Sequence, residues 1–407
     1  MKIFVLSLIS FISLFAELEM SGHLDLDSEF YLTKASGRDA NSFTVKQTLE
    51  FKYTRDTWSA FAKVYAQEAY NDFLSKEDQT QRTFARLDEL YLRYDTDEAS
   101  YSIGKSIKFW GALELRNIVD VFNPNEFRDD MFSVNKLGVY NASYSRFTDT
   151  GELNVIVKVH EQDLEMASYP YVYYPFPEMI SYEKNLQTSS SQNKPSIYVA
   201  YSGSTDTDNA LDYAFIYQHG YDSQRYLSSV VRQPTRYVQN GYRVDKFMTY
   251  NTLVVGSTLV KLEAVYADVE KGVSVGDYSH AAFGIEHTFE DFESGATLGL
   301  ITEYYRYYTY EEDKFTDLEV YESMQNDIFV GLRYVLNDVD DSSFIGGLIA
   351  DAEYNEQTYY AKYESRFMDN FKLDVDYYFI EPSTSTQTAY ALLGRHQRIG
   401  VNIAYYF

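Results

Sequence analysis

The sequence predicts an all-β protein, a transmembrane antiparallel up-and-down β-barrel of about 18 strands. Three observations carry that expectation. Segments of about ten residues alternate apolar and charged positions. Short polar turns alternate with long connections. The chain end, RIGVNIAYYF, keeps the same alternation to its last residue. In a strand, alternate residues face opposite sides, so each such segment offers one face to lipid and the other to water.

The first element lies outside the barrel. Lys2 precedes an apolar run from Ile3 to Ala16, IFVLSLISFISLFA, and Glu17 follows it. This is the layout of a signal peptide spanning 1–16, and the run is shorter than the roughly 20 residues a membrane helix needs. Loss of Lys2 takes the formal charge from −26 to −27. Residues 17–407 then form a single barrel domain. The acidity argues against nucleic acid as a partner, since phosphate binding needs an excess of Lys and Arg. The absence of cysteine excludes disulfides and thiolate metal sites. Tyrosine is abundant, 41 residues beside 27 Phe and only 2 Trp, which suits the aromatic girdles of a membrane interface.

The strands are read from their faces. In LNVIVKVH, Leu153, Val155, Val157 and Val159 oppose Asn154, Ile156, Lys158 and His160. In TYYAKYESRF, Tyr359, Ala361, Tyr363 and Phe367 oppose Tyr360, Lys362, Glu364 and Arg366. In FKLDVDYYF, Phe371, Leu373, Val375, Tyr377 and Phe379 oppose Lys372, Asp374, Asp376 and Tyr378. Short turns fall at 54–57, 96–99, 148–151, 204–209, 256–257 and 337–342. Longer connections cover 70–83, 110–133, 162–194, 221–236, 310–322 and 382–394. Short turns belong on the periplasmic side of such a barrel and long loops outside. Starting near Leu18, the alternation gives about 18 strands and returns the C-terminus to the periplasm. That count includes a hairpin within Ser342 to Asn370 turning near Asn355; merging strands elsewhere would give 16.

The last strand must close the barrel against the first. Its apolar row, Ile399, Val401, Ile403, Tyr405 and Phe407, resembles the C-terminal signal by which Gram-negative outer-membrane barrels are recognised and inserted. The resemblance spans Gln397 to Phe407. It implies the bacterial outer membrane as location, export through the inner membrane, and the barrel assembly machinery as a partner. Outer-membrane lipid and lipopolysaccharide are then neighbours, and the acidic loop YEEDKFTDLEVYE at 310–322 reads as a solvated outer face bridged to lipopolysaccharide by divalent cations.

The chain offers little for catalysis. Six histidines, His23, His160, His219, His280, His287 and His396, show no zinc-site spacing, and there is no G-x-S-x-G elbow or phosphate loop after a strand. No enzyme activity, cofactor or metal is expected.

The most informative stretch is GKSIKFWGALELRNIVDVFNPNEFRDD, residues 104–130. It is similar to a block in a group of proteobacterial outer-membrane barrels of porin-like or transport function, G-[KR]-x4-WG followed by D-x-x-NP-x-x-x-R. The matching positions are Gly104, Lys105, Trp110, Gly111, Asp120, Asn123, Pro124 and Arg128. Leu113, Leu115, Ile118, Val119, Val121 and Phe122 are too apolar for an exposed loop, so residues 110–133 are expected to fold into the barrel and narrow it, with a packed rim loop as the alternative. Trp110, Asp120, Asn123, Pro124, Arg128, Asp129 and Asp130 are the candidate constriction residues, their charges projecting into water. A second loop, YPYVYYPFP at 169–177, carries Tyr169, Tyr171, Tyr173, Tyr174 and Phe176. It is read either as a platform for sugars, aromatic compounds or lipid-like substrates, or as a run stacked on itself over the barrel mouth. The resulting expectation is a porin-like channel for passive diffusion of small hydrophilic solutes that prefers cations. The alternative is a dedicated transporter or export duct for a hydrophobic or aromatic substrate.

Overall fold

The computed structural model describes residues 18–70, 72, 81–129, 135–290, 292–310, 319–386 and 388–407. The expected 1–16 signal peptide, Asp130 and most of the acidic loop at 310–322 lie outside them. Eighteen strands form one antiparallel sheet, each paired with its neighbours in the chain. They are β1 (Leu18–Thr33), β2 (Asn41–Arg55), β3 (Trp58–Ala69), β4 (Phe84–Asp95), β5 (Ala99–Ser106), β6 (Val139–Thr148), β7 (Gly151–Lys158), β8 (Ser196–Ser204) and β9 (Leu211–Tyr221). The second half comprises β10 (Arg243–Val255), β11 (Thr258–Val269), β12 (Tyr278–Phe289), β13 (Thr297–Thr309), β14 (Asn326–Val335), β15 (Ser343–Asp351), β16 (Gln357–Phe367), β17 (Phe371–Glu381) and β18 (His396–Tyr406). The hairpin β15–β16 turns at 352–356, so the count is 18 and the alternative of 16 is set aside.

β18 pairs with β1 from His23↔Tyr406 to Thr33↔Gln397 and closes the sheet. Beyond β18, Phe407 and Gly22 exchange two backbone hydrogen bonds of 3.1 Å. Closure matters physically, because a bilayer core offers no water to an unpaired strand edge. Ile403, Tyr405 and Phe407 are exposed on the outer surface beside Phe371 of β17, whose ring lies 5.0 Å from that of Tyr405. Near the short-turn end, outward rings follow one another: Trp58 to Tyr94 at 4.7 Å, Tyr94 to Tyr101 at 6.3 Å, and Tyr101 to Tyr144 at 5.1 Å. This is the girdle geometry of a membrane interface, and it accounts for part of the tyrosine excess.

One stretch departs from the sequence reading. The connection from β9 to β10 runs through residue 242, not 236, and contains Tyr226–Val230 paired with Gln233–Gly241. The latter also runs parallel to Ser181–Thr188 of the neighbouring loop. These segments are β-forming, yet they make a small three-stranded sheet outside the barrel wall.

Candidate functional site

The segment between β5 and β6, residues 107–138, leaves the wall at Trp110-Gly111. Gly111 has φ +128°, and a Cβ there would lie 2.3 Å from Asn117 Oδ1, so the sharp departure requires glycine. The segment then reaches β11 and β13. The N–H groups of Ala112 and Leu113 donate to Oε1 of Glu263 at 2.6 and 3.3 Å, and those of Ile118 and Val119 to Oε2 at 2.7 and 3.3 Å. The N–H groups of Glu114 and Leu115 donate to Glu303 at 2.7 and 3.1 Å, and that of Arg116 to Tyr305 Oη at 3.2 Å. Glu263, Glu303 and Tyr305 are buried and alternate along their strands with exposed Leu262, Tyr266, Leu300 and Tyr304. They therefore face the lumen, and the segment lies inside the barrel. Leu113, Ile118 and Val119 pack there against Met248, Val265 and Ile301.

Asn123 staples the two stems of the excursion. Its Oδ1 accepts the Lys108 N–H at 2.8 Å, while its Nδ2 donates to the carbonyls of Ser106 and Leu137 at 3.0 and 2.8 Å. The Pro124 carbonyl accepts the Leu137 N–H at 2.9 Å. Trp110 packs on Phe122 and Tyr198 with ring separations of 5.8 and 5.7 Å.

The charges do not project into water as expected. Asp120 accepts from Lys136 Nζ at 2.5 Å and from the Trp110 N–H at 3.1 Å. Arg128 donates to both carboxylate oxygens of Glu126, at 2.8 and 2.6 Å, and lies 3.6 Å from the centre of the Phe84 ring. Asp129 is paired with Lys46 at 2.5 Å and with Arg82. Inside a lumen packed with protein, an unpaired charge costs several kcal/mol, so each of these ions is matched by a partner of opposite sign.

The aromatic loop enters the barrel on the side of the β18–β1 seam. Tyr171, Tyr173 and Tyr174 are buried. Tyr171 Oη donates to Glu29 at 3.1 Å, and Arg82 lies 3.8 Å from the centre of its ring. Tyr173 Oη accepts from Arg398 at 3.1 Å, and Tyr174 Oη donates to the Ile180 carbonyl at 2.6 Å. Arg38 lies 4.9 Å from the centre of the Tyr169 ring, and Phe176 stacks on Tyr237 at 5.5 Å. These rings are occupied by protein groups.

Ionisation follows from the pairing. Burial alone would raise the Asp129 carboxyl, but Lys46 and Arg82 outweigh it and hold it well below the usual carboxylate range. Burial raises the Asp120 carboxyl despite Lys136, and lowers the Lys136 ammonium despite Asp120. A depressed carboxyl contributes stability that is present above the unfolded value of about 3.9 and is lost as pH falls through the folded value. Hydrogen-exchange protection at 126–129 is therefore expected to stay constant from pH 7 to about 4. Asp129→Asn should lower it across that range. A loss of protection already between pH 7 and 5 in the parent would contradict the pairing.

Cover is uneven over the inner wall. Inward charges beneath the segment, Glu263, Glu303, Lys261 and Glu286, are at most 8 % exposed. Elsewhere on the inner wall, the side chains of Lys63, Glu50, Lys362 and Glu364 are 30–40 % exposed. Sequence reading did not single out Glu263 and Glu303. A signal was present in LVKLEAVYADV: the inward face of β11 reads Lys261, Glu263, Val265, Ala267, Val269. An apolar run on the wet face means that something covers it.

No family model matches the sequence, and no curated protein matches it. Solved structures do match the fold along almost the whole chain. Pseudomonas aeruginosa OccK8 (OprE) is similar with a TM-score of 0.57 and 10 % identity over 96 % of this chain and 98 % of its own. P. aeruginosa OpdQ gives 0.57 and 10 % over 97 % and 99 %, and OpdO 0.56 and 10 % over 96 % and 97 %. The architecture is that of Gram-negative outer-membrane barrels.

Proposed function

We propose that the chain is an outer-membrane channel for passive diffusion of small hydrophilic solutes, with a preference for cations. The observation that carries this reading is the uneven cover of the inner wall: residues 112–119 bury Glu263 and Glu303, while Glu50, Lys63, Lys362 and Glu364 of β2, β3 and β16 keep charged, water-accessible side chains. Such a wall suits hydrated solutes. Acidic residues outnumber basic ones by 61 to 35, so the potential at the entrance is negative and draws cations from within a screening length of about 8 Å at physiological salt. Proteoliposomes should swell in small sugars and amino acids at rates that fall steeply with solute size. Swelling no faster than protein-free vesicles would overturn the channel reading.

The same reading makes lipopolysaccharide and the assembly machinery the partners of this barrel, the latter through the outward row from Ile399 to Phe407. Phe407→Asp should lower the amount of assembled barrel in membranes with synthesis unchanged; equal assembly would remove the row from that role.

A further inference from the structure

Seven of the eight N–H groups from Ala112 to Val119 find their acceptors on three wall residues, Glu263, Glu303 and Tyr305. The eighth belongs to Asn117, whose side-chain oxygen accepts the Leu113 N–H at 2.8 Å. The segment has no helix or strand of its own across this stretch, so its backbone depends on the wall for hydrogen bonds. Glu263 alone takes four N–H groups, two on each oxygen. Between the two carboxylate strands lies Gly284 of β12, which pairs directly with Glu303. A Cβ at Gly284 would stand 2.9 Å from Leu113 Cδ2 and 3.3 Å from Glu303 Cγ. The wall thus presents a notch between two carboxylates, and Leu113 fills it.

We propose that Glu263, Gly284 and Glu303 form the seat of the constriction segment, positioning residues that set how far it stands from the opposite wall and so which solutes pass. This rests on the channel reading above. The chemistry is specific to carboxylates. A glutamine at either position replaces an acceptor oxygen with an NH2 that points a donor at a donor, so part of the N–H set loses its partner. A bulkier residue at 284 attacks the same seat sterically, without changing the chemistry of any acceptor.

The test uses the full-length protein in three backgrounds: parent, Glu263→Gln with Glu303→Gln, and Gly284→Leu. Each is made with and without Ile118→Cys, a buried position in a chain that has no cysteine of its own. Slower migration of boiled samples confirms in each case that the barrel assembled. In both altered backgrounds, single-channel conductance and the size limit for solutes should rise, with more open-channel noise. The thiol at 118, slow to react with a membrane-impermeant maleimide in the parent seat, should react at least severalfold faster. Assembled variants with parental conductance and parental labelling would overturn the seat. Faster labelling in variants when even the parent does not conduct would leave the seat standing and refute the channel reading instead. Should the double glutamine variant fail to assemble, Gly284→Leu decides alone.

Discussion

Excision of residues 112–119, bridged by a short glycine linker, is expected to raise single-channel conductance severalfold and admit larger solutes while the barrel stays closed. The cut is tolerated because the ends of the excursion already meet: the Trp110 N–H donates to Asp120 at 3.1 Å, and Asn123 holds both stems behind them. The deletion uncovers Met248, Val265 and Ile301 on the inner wall, together with Glu263 and Glu303. Water entering the widened lumen solvates the two carboxylates, which limits the penalty of losing their N–H partners. The wall strands keep every ladder hydrogen bond. Conductance equal to the parent, in an assembled barrel, would place the narrowest passage elsewhere, with the 169–177 loop as the next candidate.

A second large effect is expected at the seam. Arg398 of β18 is 2 % exposed and donates to Glu29 of β1 at 2.5 Å, to Asp376 of β17 at 2.7 Å and to Tyr173 of the aromatic loop at 3.1 Å. One guanidinium thus links the last strand to both neighbours and to a loop inside the mouth. Its planar fork with several donors suits this geometry in a way that lysine does not. Arg398→Met removes the cation that Glu29 and Asp376 share, and breaking a buried pair from one side costs about 3–5 kcal/mol. The folded barrel should therefore convert to the slow-migrating unfolded form at a clearly lower temperature in detergent. Adding Glu29→Gln should recover part of the loss, because the variant then buries one charge fewer. An unchanged transition in the single variant would mean that the network contributes no net stability.

The barrel was legible because its rules are local. Alternation with a period of two set the faces of β7, β16, β17 and β18, and turn composition marked the ends at 70–83, 96–99 and 256–257. The hairpin around Asn355 could be read because both arms keep the lipid-facing alternation. Tyr226 to Gly241 could not, since a loop hairpin and a wall strand share the same β-forming residues and differ only in what they pair with. The interior of the site was partly legible. The apolar side chains from Leu113 to Phe122 announced a need for cover. Which wall supplies that cover depends on Glu263 and Glu303, more than 140 residues away along the chain. The fate of Asp120 and Asp129 was hidden for the same reason, whereas Arg128 turns back on Glu126, two residues away. Sequence shows that the charges exist; their partners Lys136, Lys46 and Arg82 become visible only once strands and loops are assembled. In the aromatic loop, composition could not distinguish rings open to a ligand from rings buried against Arg82 and Arg398.

The proposed path for water and ions runs past residues 112–119, along the charged inward side chains of β2, β3 and β16. Purified, folded protein reconstituted into a planar bilayer under a potassium chloride gradient tests it most directly. Discrete conductance steps are expected, ohmic near zero voltage, with a reversal potential on the cation side at low salt that shrinks toward zero as salt rises. A bilayer that stays electrically silent with assembled protein inserted would contradict the channel, and an anion-side reversal potential at low salt would contradict the cation preference.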